Sequence, residues 1–274
     1  MSRAEIFKII DVLSDSQPDP EAEADARPSG DPGKNRDDRA LWSSPAEEAA
    51  LVVVPQTPVV DIKYLELAAP LDDRLVMLRE PESARARSFR LLRHRLLTRD
   101  DSRIVSVTSA RAGEGKTTCA FNLAIALSED TMMRVLLLEA NLRRPALGRL
   151  LGFEPEDSFV EHITRFTDVG PPYPVVALSG TRLHVAALPL SVPPDARLDR
   201  TLFFVALHEL RNAYDYIVID AGSVLESADA DVIGECSNGV VLATRAGVSR
   251  RGEVRRAIEQ LAPAVVLGSV LLDA

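Results

Sequence analysis

Cysteine is almost missing from this sequence: Cys119 and Cys236 are the only two in 274 residues, far apart and without histidine at metal-ligand spacing. A disulfide framework and a zinc site are therefore not indicated, and a reducing cytoplasm fits best. Aromatic residues are scarce at 5%, too few for the stacking platforms that hold single-stranded nucleic acid. Positive charge is in deficit, with 32 Lys and Arg against 41 Asp and Glu and a formal net charge of −9. No nucleic-acid partner is expected from that balance. No stretch approaches the roughly 18 consecutive apolar residues of a membrane span, so the chain reads as soluble and any work at a membrane calls for a partner. His94, His162, His184 and His208 are scattered and read as structural.

What is present is apolar content, 46% of the chain, sufficient for one α/β domain of ordinary size plus a tail. Ile6, Ile9, Ile10 and Leu13 stand at helical spacing and predict a short amphipathic helix over residues 1–14. Residues 15–58, rich in Asp, Glu, Pro, Ser and Gly, read as a disordered acidic tether. Residues 59–274 read as a single domain. Within it, "ARARSFRLLRHRLL" aligns Phe89, Leu91, Leu92, Leu96 and Leu97 as the apolar stripe of a helix. Apolar runs predict strands at 104–107, 134–138, 183–187, 216–220, 239–244 and 265–271, and the segments between them predict helices from Lys116 and over 145–151, 198–213 and 252–261. This alternation implies an α/β fold, a mostly parallel sheet with helices on both faces.

The segment "IVSVTSARAGEGKTTCAFNLAIAL" carries the chemistry. It sets Arg111, Ala112, Gly113, Glu114, Gly115, Lys116, Thr117 and Thr118 between a strand and a helix. In a phosphate-binding loop, Gly113 and Gly115 let the backbone turn its N–H groups toward phosphates, and the helix N-terminus adds a favourable field. Lys116 then neutralises the β- and γ-phosphates and Thr117 holds Mg²⁺. Ala110 stands where the common pattern begins with Gly. Downstream, "YDYIVIDAG" ends a strand in Asp220, a carboxylate of the kind that orders Mg²⁺ through its water shell, and "VLLLEANLRRP" ends another in Glu139. All three strand ends belong at the carboxyl edge of one sheet. ATP and Mg²⁺ are the expected cofactors of such a P-loop NTPase.

Taken in order, "TSARAGEGKTT", "VLLLEANLRRP", "YDYIVIDAGSVLESADA" and "GVVLATRAGVSRRGEVRRAIEQL" resemble the bacterial tyrosine kinases of the capsular and exopolysaccharide family, which are related to the deviant-Walker partitioning ATPases of the ParA and MinD kind. The resemblance implies Lys116 and Thr117 in the first Walker motif, Glu139 and Asn141 at the intermediate acidic motif, and Asp220 in the second. It makes Lys116, Glu139 and Asp220 the catalytic set and Thr117, Glu139 and Asp220 the metal set. It further implies regulation of polysaccharide polymerisation and export through Mg·ATP-dependent protein phosphorylation or switching. The implied setting is the inner face of the membrane, beside a membrane polysaccharide co-polymerase; homo-oligomerisation stays open. Arg111 falls where the partitioning relatives place a lysine that reaches a neighbouring subunit.

The departures define the alternatives. The family's Asp-Ala-Asp is here Glu139-Ala140-Asn141, and an amide cannot serve as a base. In the family's Glu-x-x-Arg-x-x-Arg assembly motif, Arg90 and Arg93 align but Arg87 stands for the glutamate. Gly222 and Ser223 replace two prolines, which is expected to loosen the loop after Asp220. Asp229 matches a family acid and also suits a helix cap. Only Tyr64, Tyr173, Tyr214 and Tyr216 are present; self-phosphorylation of a terminal tyrosine cluster is not expected for the chain as given, and Tyr216, opening a buried strand, is a poor acceptor. The alternative is a catalytically weak or inactive nucleotide-binding regulatory subunit, and a second is a ParA- or MinD-like positioning ATPase.

Overall fold

The computed structural model describes residues 8–10, 60–99, 103–130, 132–156, 158–165, 172–193 and 196–272. They belong to one compact unit, Met1–Val12 with Pro55–Ala274. The proposed tether, residues 15–58, lies outside the described residues, as does most of the segment read as an N-terminal helix. Where that segment is described it differs from the expectation. Lys8–Ile10 is a strand, β1, antiparallel to the last strand of the sheet. The unpaired backbone groups of a sheet edge offer an apolar segment a ladder, and that competes with local helix formation.

The sheet has nine strands: β1, β2 (Val60–Leu65), β3 (Ile104–Ser109), β4 (Val135–Glu139), β5 (Tyr173–Leu178), β6 (Leu183–Ala186), β7 (Tyr216–Asp220), β8 (Gly239–Arg245) and β9 (Val266–Leu272). Their spatial order is β1-β9-β8-β3-β7-β4-β6-β5-β2. The six from β9 to β6 are mutually parallel, whereas β5 runs antiparallel to β6 and carries β2 parallel to itself. A tight turn explains the reversal: Gly180 adopts φ 77° between β5 and β6, so the two pair as a hairpin instead of crossing over.

The strands of the central sheet are buried on both faces and divide their side chains between two cores. Val135 and Leu137 of β4 and Val218 of β7 face one core, while Leu136, Leu138, Ile217 and Ile219 face the other. Period-two alternation in continuously apolar strands produces this division. The first core is roofed by helices α1 (Val76–Arg79), α2 (Ala84–Leu97) and α3 (Lys116–Ser128). The second is covered by α5 (Phe159–Arg165) and α6 (Arg200–Ala213). Short α4 (Leu147–Leu151), α7 (Asp229–Cys236) and α8 (Arg251–Gln260) complete the set.

Helix α3 is buried along nearly its whole length because it lies between the sheet and α2. Its one buried amide is fully used: Asn122 Oδ1 accepts from Met77 N at 2.9 Å, and Nδ2 donates to the Arg74 and Thr118 carbonyls at 2.7 and 2.8 Å. Helix α2 turns Phe89, Leu92 and Leu96 inward, but Leu91, placed on the apolar stripe by spacing, is 48% exposed. Arg90 and Arg93 both pair with Glu129 at the C-cap of α3, at 2.6 and 3.0 Å, and donate to the Pro81 and Ala126 carbonyls. The aligned assembly arginines thus clamp α2 to α3. Among the described residues no helix is long and apolar enough to cross a membrane.

Candidate functional site

The site forms where β3, β7 and β4 lie side by side and end at one edge. Val107 of β3 is in register with Asp220 of β7, and Asp220 with Glu139 of β4. Three segments separated by long stretches of sequence are thereby placed next to one another. The spacing of neighbouring strands, about 4.8 Å, sets the distance between them.

Between β3 and α3 the chain makes the phosphate-loop turn. Gly113 and Gly115 adopt φ 84° and 91°, values that favour glycine. A Cβ on Gly115 would run into Leu272 Cδ1, whereas Gly113 faces open space. Lys116 and Thr117 are both buried in the first turn of α3, and Thr118 is half-buried beside them. Glu114 is buried with its carboxylate turned into the protein. One oxygen accepts from Arg111 N at 2.8 Å and the other from Ser249 Oγ at 2.5 Å. Its role is to brace the loop, a role the sequence pattern did not separate from nucleotide contact.

The loop is held from its outer side as well. Arg111 Nε donates to Glu253 at 2.8 Å, and its guanidinium lies 3.6 Å from Glu226. Glu226 also accepts from Ala112 N at 3.2 Å, and Arg245 donates to the Gly113 carbonyl at 3.4 Å. Within this chain Arg111 is engaged by its own acids. The sequence reading gave Glu226, Ser249, Arg245 and Glu253 no role at the loop. Only the packing of α8 and the 224–226 turn against the loop brings these groups together.

Asp220 is fully buried, and neither carboxylate oxygen has a hydrogen-bond partner. Burial raises its pKa from 3.8 to about 7, against the attraction of Lys116, with the repulsion of Glu139, and against a weaker pull from the Thr117 hydroxyl, which lies nearby but outside hydrogen-bond geometry. An orphaned buried carboxylate in a native fold calls for an explanation. Here the adjoining Lys116, Thr117 and glycine turn supply one, because a hydrated divalent cation beside bound phosphates satisfies such a group. The residues present therefore fit Mg²⁺ and a nucleotide phosphate.

Glu139, its neighbour, is situated differently. It is likewise fully buried, yet one oxygen accepts from Ala146 N and Leu147 N at 2.5 and 2.9 Å and the other from Leu188 N at 2.8 Å. It ties the start of α4 and the segment after β6 to the site edge. Burial raises its pKa, and the three backbone donors and Lys116 oppose the rise. Asn141 is buried, and its Nδ2 donates to the Arg144 carbonyl at 2.7 Å, closing the turn after β4.

The loop after Asp220 is packed and not loosened. Residues 221–224 are buried, Thr108 Oγ1 donates to the Gly222 carbonyl at 2.6 Å, and a 3₁₀ turn follows at Val224–Glu226. A Cβ on Gly222 would stand 3.3 Å from Ser227 Cβ, so the small residue permits the close approach. Asp229 lies in the first turn of α7, where it accepts from Leu198 N at 3.2 Å and Ser227 Oγ at 3.1 Å. Cys119 is fully buried and its thiol is pushed up to about 12 by burial, with Asp220 adding to the rise, which leaves it a packing residue.

The chain matches no protein-family model. The tyrosine-protein kinase CpsD of Streptococcus agalactiae is 27% identical over 164 residues, covering 59% of this chain and 70% of that protein. The tyrosine-protein kinase YwqD of Bacillus subtilis (strain 168) is 28% identical over 203 residues, covering 72% and 84%. Among solved structures, the kinase domain of the Escherichia coli tyrosine kinase ETK superposes with a TM-score of 0.63 at 20% identity, over 86% of this chain and 95% of that domain. The last is a likeness of fold. Sequence and fold point the same way: the chain is similar to the tyrosine-protein kinases CpsD and YwqD, and it shares its fold with the ETK kinase domain.

Proposed function

We propose that the chain binds ATP with Mg²⁺ at the 111–118 loop and acts as a tyrosine-kinase-type regulator of polysaccharide polymerisation and export, on the cytoplasmic side of the membrane beside a membrane co-polymerase. The observation that carries the reading is Asp220, buried and unpartnered at the strand end next to Lys116. The backbone N–H groups of the 113–117 turn hold the phosphates, and the Lys116 ammonium offsets their charge. Thr117 and Asp220 hold the metal ion and its water. Mg·ATP, when bound, supplies the γ-phosphoryl group and the divalent charge that stabilises its transfer. Glu139 contributes negative charge beside Asp220 and, through its three amide bonds, positions the loops on either side. With those oxygens engaged, Thr117 would hold the metal ion and Asp220 would hold it through the ion's water shell, leaving Glu139 to position the loops.

A second reading, a nucleotide-binding regulator with little phosphoryl transfer, is favoured by Asn141. An amide committed to the Arg144 carbonyl takes no proton from an acceptor hydroxyl. Mg²⁺-dependent nucleotide binding, ADP release and phosphotyrosine formation, measured on wild type, Lys116→Ala and Asp220→Asn, separate the two. Turnover above the Lys116→Ala background supports the kinase. Binding without turnover supports the regulator, and Mg²⁺-independent or absent binding removes both.

A further inference from the structure

The fold sorts the four tyrosines of the sequence. Tyr173 donates its hydroxyl to Glu209 at 2.5 Å, and burial raises its pKa. Tyr214 is 4% exposed with its hydroxyl 2.8 Å from His184 Nδ1. Tyr216 is half-buried at the start of β7, an interior strand, and burial raises its pKa. Tyr64 is the exception, 82% exposed on β2. Among the described residues that strand ends the sheet order and is held by a single ladder, to β5. An edge strand is already extended and opens locally more readily than the central strands.

We propose that Tyr64 is a phosphoryl acceptor, modified by a second copy of this chain; the inference rests on the kinase reading above. Its own phosphate loop is out of reach. The loop follows β3, and the order β3-β7-β4-β6-β5-β2 puts Tyr64 five strand spacings away, about 24 Å at ~4.8 Å each. Tyr64 also sits away from the site edge: it is in register with Ala177, which pairs with His184, which pairs with Leu136, three residues before the strand end at Glu139. A tyrosine side chain spans neither separation, so the donor nucleotide belongs to another molecule. In the transfer, the bond between the γ-phosphorus and the oxygen bridging to the β-phosphate breaks. A bond from Tyr64 Oη to that phosphorus forms, ADP leaves with the electron pair, and the phenolic proton passes to solvent.

The test mixes two full-length variants with Mg·ATP. The Lys116→Ala chain keeps Tyr64 but lacks the phosphate lysine, and the Tyr64→Phe chain keeps the phosphate loop. Mass mapping is expected to place phosphate on Tyr64 of the Lys116→Ala chain in the mixture and on neither variant alone. A synthetic tyrosine peptide serves as a second acceptor. Label on the peptide with none on Tyr64, label confined to Tyr173, Tyr214 or Tyr216, or, when wild type replaces the Tyr64→Phe chain in the mixture, label that stays on wild type and never crosses to the Lys116→Ala chain, overturns the inference and leaves the kinase reading standing. Absence of label on peptide and protein alike removes both. Independently of ATP, N-acetylimidazole is expected to acetylate Tyr64 before the other three; protection of Tyr64 refutes the geometry on which the inference stands.

Discussion

Replacing Asp220 by Asn should abolish a large pH dependence of stability in the nucleotide-free protein. Burial holds the native carboxyl at about 7 against an ordinary 3.8. The folded state therefore retains a proton that the unfolded chain has already released. The sign follows from linkage: a raised acid pKa gives stability that is present below the unfolded value and is lost as pH rises through the folded value. At 1.36 kcal/mol per pK unit, the penalty of keeping Asp220 buried grows by about 2–3 kcal/mol between pH 5 and pH 8. Urea unfolding of wild type and Asp220→Asn at several pH values in that window, without metal or nucleotide, reads the effect as the difference between the two pH profiles. The difference in stability should move in favour of the variant by that amount as pH rises. Adding Mg²⁺ and nucleotide at pH 8 should then favour wild type, because a cation gives the anionic carboxylate the partner it lacks. Parallel pH profiles for the two proteins would refute the assignment of Asp220 as a buried, unsatisfied acid.

Glu139→Gln sets an amide N–H against one of three backbone donors, and Glu139→Asp is one methylene too short to reach all of them. Each should destabilise the protein by roughly 1–3 kcal/mol, read as a lower urea midpoint, and wild-type stability would contradict the bracing role. Gly115→Ala, at φ 91° and against Leu272, should cost about 1–3 kcal/mol and weaken nucleotide binding, whereas Gly252→Ala in an open helical position should be neutral or stabilising by about 0.5–1 kcal/mol. In the native protein Cys119, fully buried with its thiol near 12, should resist a thiol reagent until urea unfolds the chain, and rapid native labelling would show the helix start to be open.

Much of the central architecture was legible in the sequence because its strands are continuously apolar. The run at Tyr216–Asp220 matches its strand residue for residue, and those at 104–107, 134–138 and 239–244 differ by one or two residues at their ends. Strands β2 and β5 were not read as strands. β2 mixes Asp61 and Lys63 into an exposed edge, and β5 is anchored by a hairpin partner more than by its own pattern. The short helices α5 and α7 have too few turns to show a period. At the N-terminus, the spacing of Ile6, Ile9 and Ile10 suits a helix in isolation, but residues 8–10 lie against the open edge of β9.

The sequence by itself determined the glycine-bearing turn between β3 and α3, the strand ends that flank it and the parallel sheet, since local propensity and periodicity write these into consecutive residues. Tertiary structure alone decided how the two acids differ. Glu139 and Asp220 both end apolar strands, yet backbone N–H groups from Ala146, Leu147 and Leu188 converge on the first and none on the second. It likewise turned Arg111 toward Glu253 and Glu226, joined Arg90 and Arg93 to Glu129, and left Tyr64 open while closing the other three tyrosines. Hydrogen bonds and burial are properties of what meets across the fold, and partners tens of residues apart leave no periodic trace in the chain.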